Sequence, residues 1–424
     1  MLLNTRITIQ SCLILVVLAV GCQKADPPSF RLNSVEIIKQ ERLNLKEGET
    51  FDPAYREQIG TLMTSLFGTP DEPKFPYLAG DDDPARAVVN LARLKQAAGA
   101  VSSDRSNEHV GLYREHCVHC HGITGDGAGP TAATLGPYPR DFRLGKFKFK
   151  STPLRRPPTD NDLVRVLKNG IPGTAMPAFS VLSEEDLLAL VDYVKYLSIR
   201  GEFERRLISE LPNLEGQPLV DLSLLSKKTD AAERKKLDDQ LYAVVGEFLT
   251  EDVIARWLDR EDSISEISTP PASLVDTDTA HAEFVDVGRK LFYTKANCVQ
   301  CHGATGLGDG QTQNYDDWAN EWIKTPGVDV LEPKTYQHFM TAGALPPQKI
   351  RPRNLRLPVY RGGNSIADLY RRIANGIEGT PMPSSPTLTP EEVWALVAYV
   401  QSMPYESKAS AQTNAAPTVT KRAR

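Results

Sequence analysis

Two short segments constrain this chain more than anything else in it: Cys117-Val-His-Cys-His121 and Cys298-Val-Gln-Cys-His302. Each has two cysteines separated by two residues and a histidine directly after, the signature of a c-type haem attachment site. Each thiol adds across one porphyrin vinyl group, the two-residue gap matches the vinyl spacing, and the adjacent histidine stands beneath the iron. A redox dithiol lacks the trailing histidine, and a zinc site needs a second ligand pair nearby. The motif recurs 181 residues on (117 to 298).

The cysteine inventory agrees. There are six. Four belong to the two motifs, Cys117, Cys120, Cys298 and Cys301. Cys12 lies in a short apolar run, Cys12 to Val20, behind Arg6, which reads as a signal peptide over 1–21 and is too short to span a bilayer. The run ends in Ala19-Val-Gly-Cys22, which looks like a bacterial lipobox and predicts diacylation of Cys22. No thiol is left for a disulfide, as suits an exported protein. A length of 424 residues allows two to four units, and a net charge of −5 argues against a nucleic-acid binder.

The chain then divides into a tether and extension (22–102), a first haem unit (103–205), a helical linker (206–280), a second haem unit (281–404) and a disordered tail (405–424). The extension and the linker carry no chemistry of their own and are expected to pack on a haem unit. Asp83-Pro84 opens a capped helix through Ala98, and Asp230 to Gly246 and Thr250 to Asp262 read as two amphipathic helices. In the first unit, Leu112 and Tyr113 lie on a short helix leading into Cys117. A glycine loop follows, Gly122 to Pro130, whose glycines let the backbone pass close over the porphyrin face. Next come a basic loop, Arg140 to Arg156, a helix from Asp160 that stops at Asn169-Gly170, the sequence Ile171-Pro-Gly-Thr-Ala-Met176-Pro177, and a last helix capped at Ser183. The second unit repeats this order: Gly303 to Gly310, Pro352-Arg353-Asn354-Leu355, Ile366 to Asn375, Gly376 to Met382-Pro383, and a helix opened by the capping box Thr389 to Glu392. It carries 25 extra residues between histidine and methionine, around Tyr315 to Gln348.

Both units resemble class I cytochrome c domains, and the whole resembles a di-haem cytochrome c. The resemblance covers about half of the chain and implies a mainly α fold: two cytochrome c-like helical domains in which the first and last helices cross, joined by a helical linker and preceded by an N-terminal extension. It implies two covalently attached haem c groups with His121 and His302 as proximal ligands. Met176 and Met382, each before proline in matched loops, are expected as the sixth ligands. His338 and Met340 in the insertion are rival ligands for the second iron, and Trp318 and Trp322 cover a haem edge or form a local core. His109, His116, His119 and His281 are given no ligand role. The family often uses a proline carbonyl to accept the proximal histidine N–H, which points to Pro130; its counterpart, Gln311, makes the second haem the more perturbed one. Arg140 and Arg353 stand in equivalent places, where a guanidinium would pair with a haem propionate.

With both axial positions filled, neither iron would bind O₂ or peroxide. The expected role is one-electron transfer, as a carrier or relay subunit of an exported respiratory chain on the periplasmic side of a bacterial membrane, held there by the lipid anchor. The partners would be a redox donor and acceptor: a dehydrogenase, a quinol-oxidising complex or a terminal oxidase. The alternatives are a di-haem enzyme of peroxidase or thiosulfate-oxidising type with one open iron, and a haem-based sensory module. The seven Lys and Arg between Arg140 and Arg156, set against one acid, would either steer an acidic partner or form a solvated face.

Overall fold

The computed structural model describes residues 27–77, 83–103, 108–214, 216–221, 231–275 and 279–406. The signal segment, Cys22 and the tail beyond 406 lie outside them. The fold is mainly α; among the described residues the one sheet is a two-stranded hairpin pairing Ser102–Ser103 with His109–Val110. No helix among these residues is long and apolar enough to cross a membrane.

The extension forms α1 (Ser34–Asn44), capped by the Asn33 side chain, and α2 (Ala54–Phe67). The expected single helix from Pro84 to Ala98 is instead two pieces. Asp83 caps one 3₁₀ turn, Pro84–Ala87, and Asn90 caps a new helix, α3 (Leu91–Ala97), by accepting from the amides of Ala92 and Arg93. Burial of Val88 and Val89 between them fixes the break. In the first unit, α4 (Leu112–His116) leads into α5 (Val118–His121), and α6 (Asp160–Asn169) opens with a reciprocal Thr159–Asp162 capping box. The long α7 (Glu184–Glu210) starts at Ser183, whose hydroxyl accepts from Asp186. Because α4 is only five residues long, α3 crosses α7 in place of one continuous N-terminal helix.

One apolar core runs from Ile37 in α1 through Tyr55, Ile59 and Phe67 in α2 to the whole inner face of α7 and on to Trp257. The expected two linker helices are continuous: α8 (Ala231–Val244) widens into a π-helix over Val245–Ile254 and returns to α-helix at Ala255–Leu258. Val245, Leu249 and Val253 are buried at a four-residue step, and Trp257 continues that line into the core. The wider turn keeps this line facing α7.

The second unit has a smaller core. Its α9 (Thr279–Tyr293) runs to the attachment turn α10 (Val299–His302), and α11 (Ile366–Asn375) and α12 (Pro390–Ser402) complete it. Here the first and last helices cross directly. Gly288 of α9 lies so close to α12 that a Cβ would stand 1.9 Å from the Ala395 carbonyl oxygen, so only glycine allows the crossing.

A third cluster joins the two units. Trp318, Trp322, Phe339, Ala344 and Leu345 from the insertion bury against Val35, Ala132 and Tyr138. The Trp318 indole N–H donates to the Asp126 carbonyl at 2.9 Å, and the Tyr138 hydroxyl to the Pro346 carbonyl at 3.0 Å. The tryptophans therefore wedge the second unit onto the first. His338 and Met340 belong to this same wedge, with Met340 packed on its cluster and not on the second unit's core.

Candidate haem sites

The two attachment segments are held by the same backbone ladder. His121 and His302 amides bond to the Cys117 and Cys298 carbonyls, both at 2.9 Å. Gly127 N–H donates to the His121 carbonyl at 3.0 Å and Gly308 N–H to the His302 carbonyl at 2.8 Å. Phe142 N–H reaches Gly125 at 2.8 Å, and Leu355 N–H reaches Gly306 at 2.7 Å. These glycines are needed because backbone meets backbone: a Cβ on Gly127 would stand 2.6 Å from the Pro139 carbonyl oxygen, and one on Gly308 2.2 Å from that of Pro352.

The proximal histidines are oriented alike. His121 Nδ1 lies 3.0 Å from the Arg140 carbonyl oxygen, and His302 Nδ1 lies 3.0 Å from that of Arg353. A carbonyl only accepts, so Nδ1 carries the proton in both rings and Nε2 keeps its lone pair for a metal. This corrects the expectation for Pro130, which is exposed on the surface and accepts nothing from His121. The acceptor comes instead from the arginine position of the following loop, through its main chain. The arginine side chains have partners within the protein. Arg140 donates to Asp317 in the second unit at 2.7 Å, and Arg353 donates through Nε and Nη2 to its own loop's Val359 carbonyl.

The methionine loops also match bond for bond. Ile171 N–H donates to the Met176 carbonyl and Ile377 N–H to the Met382 carbonyl, both at 3.1 Å. Thr174 and Thr380 hydroxyls accept from the Met176 and Met382 amides at 3.1 and 3.2 Å. Gly170 and Gly376, at φ +63° and +75°, each fold against the carbonyl of the methionine. Both methionines are half-buried.

In the first unit Cys117, Cys120, His121 and Met176 all line one cleft open to solvent, and Val166, Leu167, Val191 and Val194 are among its apolar walls. Arg140 and Lys148 line it too, and so does Arg361 of the second unit. The residues fit a flat apolar macrocycle with charged edges: two thiols, an imidazole with a free nitrogen, a facing thioether, greasy walls and cations. They do not fit the alternatives. Burial pushes the Cys117 thiol up to about 12 and the Cys298 thiol up to about 11, the opposite of a reactive redox thiolate. Among the described residues no group of three or more His, Cys, Asp or Glu is placed to hold a metal ion, which removes a zinc cluster. Burial also lowers the His121 imidazole to about 4, keeping it neutral as a ligand must be.

Residues 107–194 match the family model for cytochrome c oxidase, cbb3-type, subunit III, and residues 285–404 match the model for cytochrome c. The chain therefore contains two cytochrome c-type domains, the make-up of a di-haem cytochrome c. It carries two covalently bound haem c groups, and its chemistry is haem-based electron transfer. A solved chain of the Kuenenia stuttgartiensis reducing HAO-like protein complex is 24% identical, over 69% of this chain and 94% of that one, with a TM-score of 0.44. No curated protein matches the chain.

Four of the seven cations of the basic run pair closely within the protein. Arg143 binds Asp141, Lys146 binds Glu321, Lys150 binds Glu378, and Arg140 binds Asp317. Three of these four acids belong to the second unit, so the run clasps the units together. Arg361 was missed by sequence reasoning, yet a signal existed: it stands eight residues after Arg353, as Lys148 stands eight after Arg140.

Proposed function

We propose that the protein relays single electrons through two haems, each held between an imidazole and a thioether: His121 and Met176 in the first unit, His302 and Met382 in the second. Cys117, Cys120, Cys298 and Cys301 would form the thioether links. The observation that carries this reading is the paired construction of the methionine loops, together with the meeting of Met176 and His121 in one cleft. When bound, each haem supplies reversible one-electron exchange at iron.

The chain's own residues do the rest. The Arg140 and Arg353 carbonyls fix the imidazole rings and raise their basicity through the Nδ1 proton. A neutral thioether favours Fe(II) and raises the potential. With His121 and Met176, and His302 and Met382, as its ligands, each iron would have no position left for a substrate, which favours a carrier or relay subunit over a peroxidase-like enzyme. Export, diacylation at Cys22, a periplasmic location and exchange with a dehydrogenase, a quinol-oxidising complex or a terminal oxidase form the cellular part of the proposal, supported by the lipobox-like sequence alone.

The test is a redox titration of Met176→Ala and Met382→Ala variants with haem content measured in parallel. Each variant should keep two haems and lose one distinct high-potential step. An unchanged titration in either would remove that methionine from the iron.

A further inference from the structure

The two units meet through equivalent segments, in a crossed manner. Arg140 of the first unit reaches the methionine loop of the second: its Nη1 is 3.1 Å from where a Cβ on Gly379 would stand. Arg353 of the second reaches the methionine loop of the first, its Nη1 3.8 Å from a Cβ on Gly173. Phe149 and Gly362, nine residues beyond these arginines, lie against each other so tightly that a Cβ on Gly362 would sit 2.4 Å from the ring. Between these contacts stand Lys148 and Arg361, each eight residues beyond its arginine. Both line the first cleft.

These two cations are underused. Among the described residues Lys148 makes no hydrogen bond or ion pair, and Asp316 and Asp317 act on it only at longer range. Burial, and then the neighbouring Arg140 charge, push its ammonium down to about 8. Arg361 donates through Nη2 to the Gly173 carbonyl at 3.2 Å, but its buried Nε has no partner. Arg140, the third cation at the cleft, already has Asp317. Both side chains are half-buried and neither has a carboxylate partner, an arrangement that favours an incoming anion. A haem brings two carboxylates, and no acidic side chain of the lining other than Asp162 competes for these cations. Asp162 is itself committed to Ser151, Thr159 and Arg165.

We propose that Lys148 and Arg361, equivalent residues of the two units, together form the seat for the carboxylates of the first haem, so that the second unit supplies a charge to the first unit's site. This rests on the reading that the first haem fills the cleft of Cys117, His121 and Met176. It follows that the first haem's redox equilibrium depends on a residue of the other unit, and that the haem edge carrying the carboxylates faces that unit. Arg361 is then a positioning and tuning residue for the first haem.

The test is redox titration of the intact di-haem protein. The first haem's step is the one that Met176→Ala moves. Arg361→Gln removes a positive charge and should shift that step toward the oxidised form by about tenfold, or about 59 mV for one electron. Arg361→Glu should shift it further, Arg361→Lys should restore most of it, and Lys148→Met should move the same step in the same direction. If Arg361→Gln leaves that step in place, or moves only the other one, in protein with two haems, the seat is wrong. Should Arg361→Gln not fold, Lys148→Met and Arg361→Lys decide the matter by the same reading. Failure of the underlying reading looks different: Met176→Ala would then move no step at all.

Discussion

Around His121 the first unit stacks Phe142 nearly parallel, with centroids 4.5 Å apart and planes 15° apart. At the equivalent place the second unit has Leu355, and the ring contact of His302 is Phe292, at 6.4 Å and 48°. The same contrast runs outward. The first attachment segment is buttressed by a core that gathers α1, α2, α3, α7 and the π-helical stretch, and Cys117 is buried in it. The second relies mainly on one crossing of α9 with α12, and its attachment turn is entered through Asn297 in a left-handed conformation, φ +50°. The local sites are copies, while their supports are not. Ligation is set by a short ladder of backbone bonds that can be repeated, whereas rigidity and charge come from whatever packs outside it. The second attachment segment thus differs from the first in its support, lacking the aromatic stack and resting on a smaller core.

The sharpest way to break this contrast is Gly288→Val. The side chain would collide with the Ala395 carbonyl, and the α9–α12 crossing is the most extensive helix contact of the second unit. We expect a loss of more than about 3 kcal/mol, seen as early melting of the second unit by circular dichroism while the first haem's spectrum survives. Loss of both haem signals together would mean that the two units do not differ in support.

Next in size is the acid side of the clasp. Burial pushes the Glu321 carboxyl up, but Arg205, Lys146 and Lys39 outweigh this and hold it at about 2. A carboxyl held below its ordinary value of 4.5 stabilises the fold fully above that pH and loses the effect as pH falls toward 2. Glu321→Gln should therefore cost roughly 3 kcal/mol at neutral pH, with the gap from the unsubstituted protein closing below pH 4 in denaturant titrations. A gap that is constant with pH would show that the charge is not what matters.

A smaller effect sharpens the comparison at the ring itself. Phe142→Leu gives the first site the residue of the second and should cost about 1 kcal/mol, chiefly the lost stack on His121. The readout is a broadened haem signal that approaches that of the second site. At the bottom of the scale, Arg156→Gln should leave stability within error, because its 3.8 Å pair with Asp259 is solvent-exposed on both sides.

Much of this was legible in the sequence, for physical reasons. The attachment motifs, the Asn-Gly helix stops and the Thr159 and Thr389 caps are local devices whose residues act on near neighbours, so spacing alone locates them. What escaped depends on the main chain or on distant partners. The histidine acceptor is a carbonyl, which any residue has, so Arg140 and Arg353 were read for their guanidinium groups and Pro130 for a role it does not have. The basic run looked like surface because its acids lie about 170–230 residues away in the second unit. The tryptophans of the insertion announced burial without saying against what. Arg361 carried a faint signal, its register with Lys148, which becomes readable only once the two loops are aligned through their arginines.

The most direct test of the central claim is near-infrared magnetic circular dichroism of the oxidised, purified protein, since those bands report the axial ligands of each iron. The account predicts two histidine–methionine signatures in a ratio of one to one. A high-spin band, or a bis-histidine signature at either iron, would contradict it.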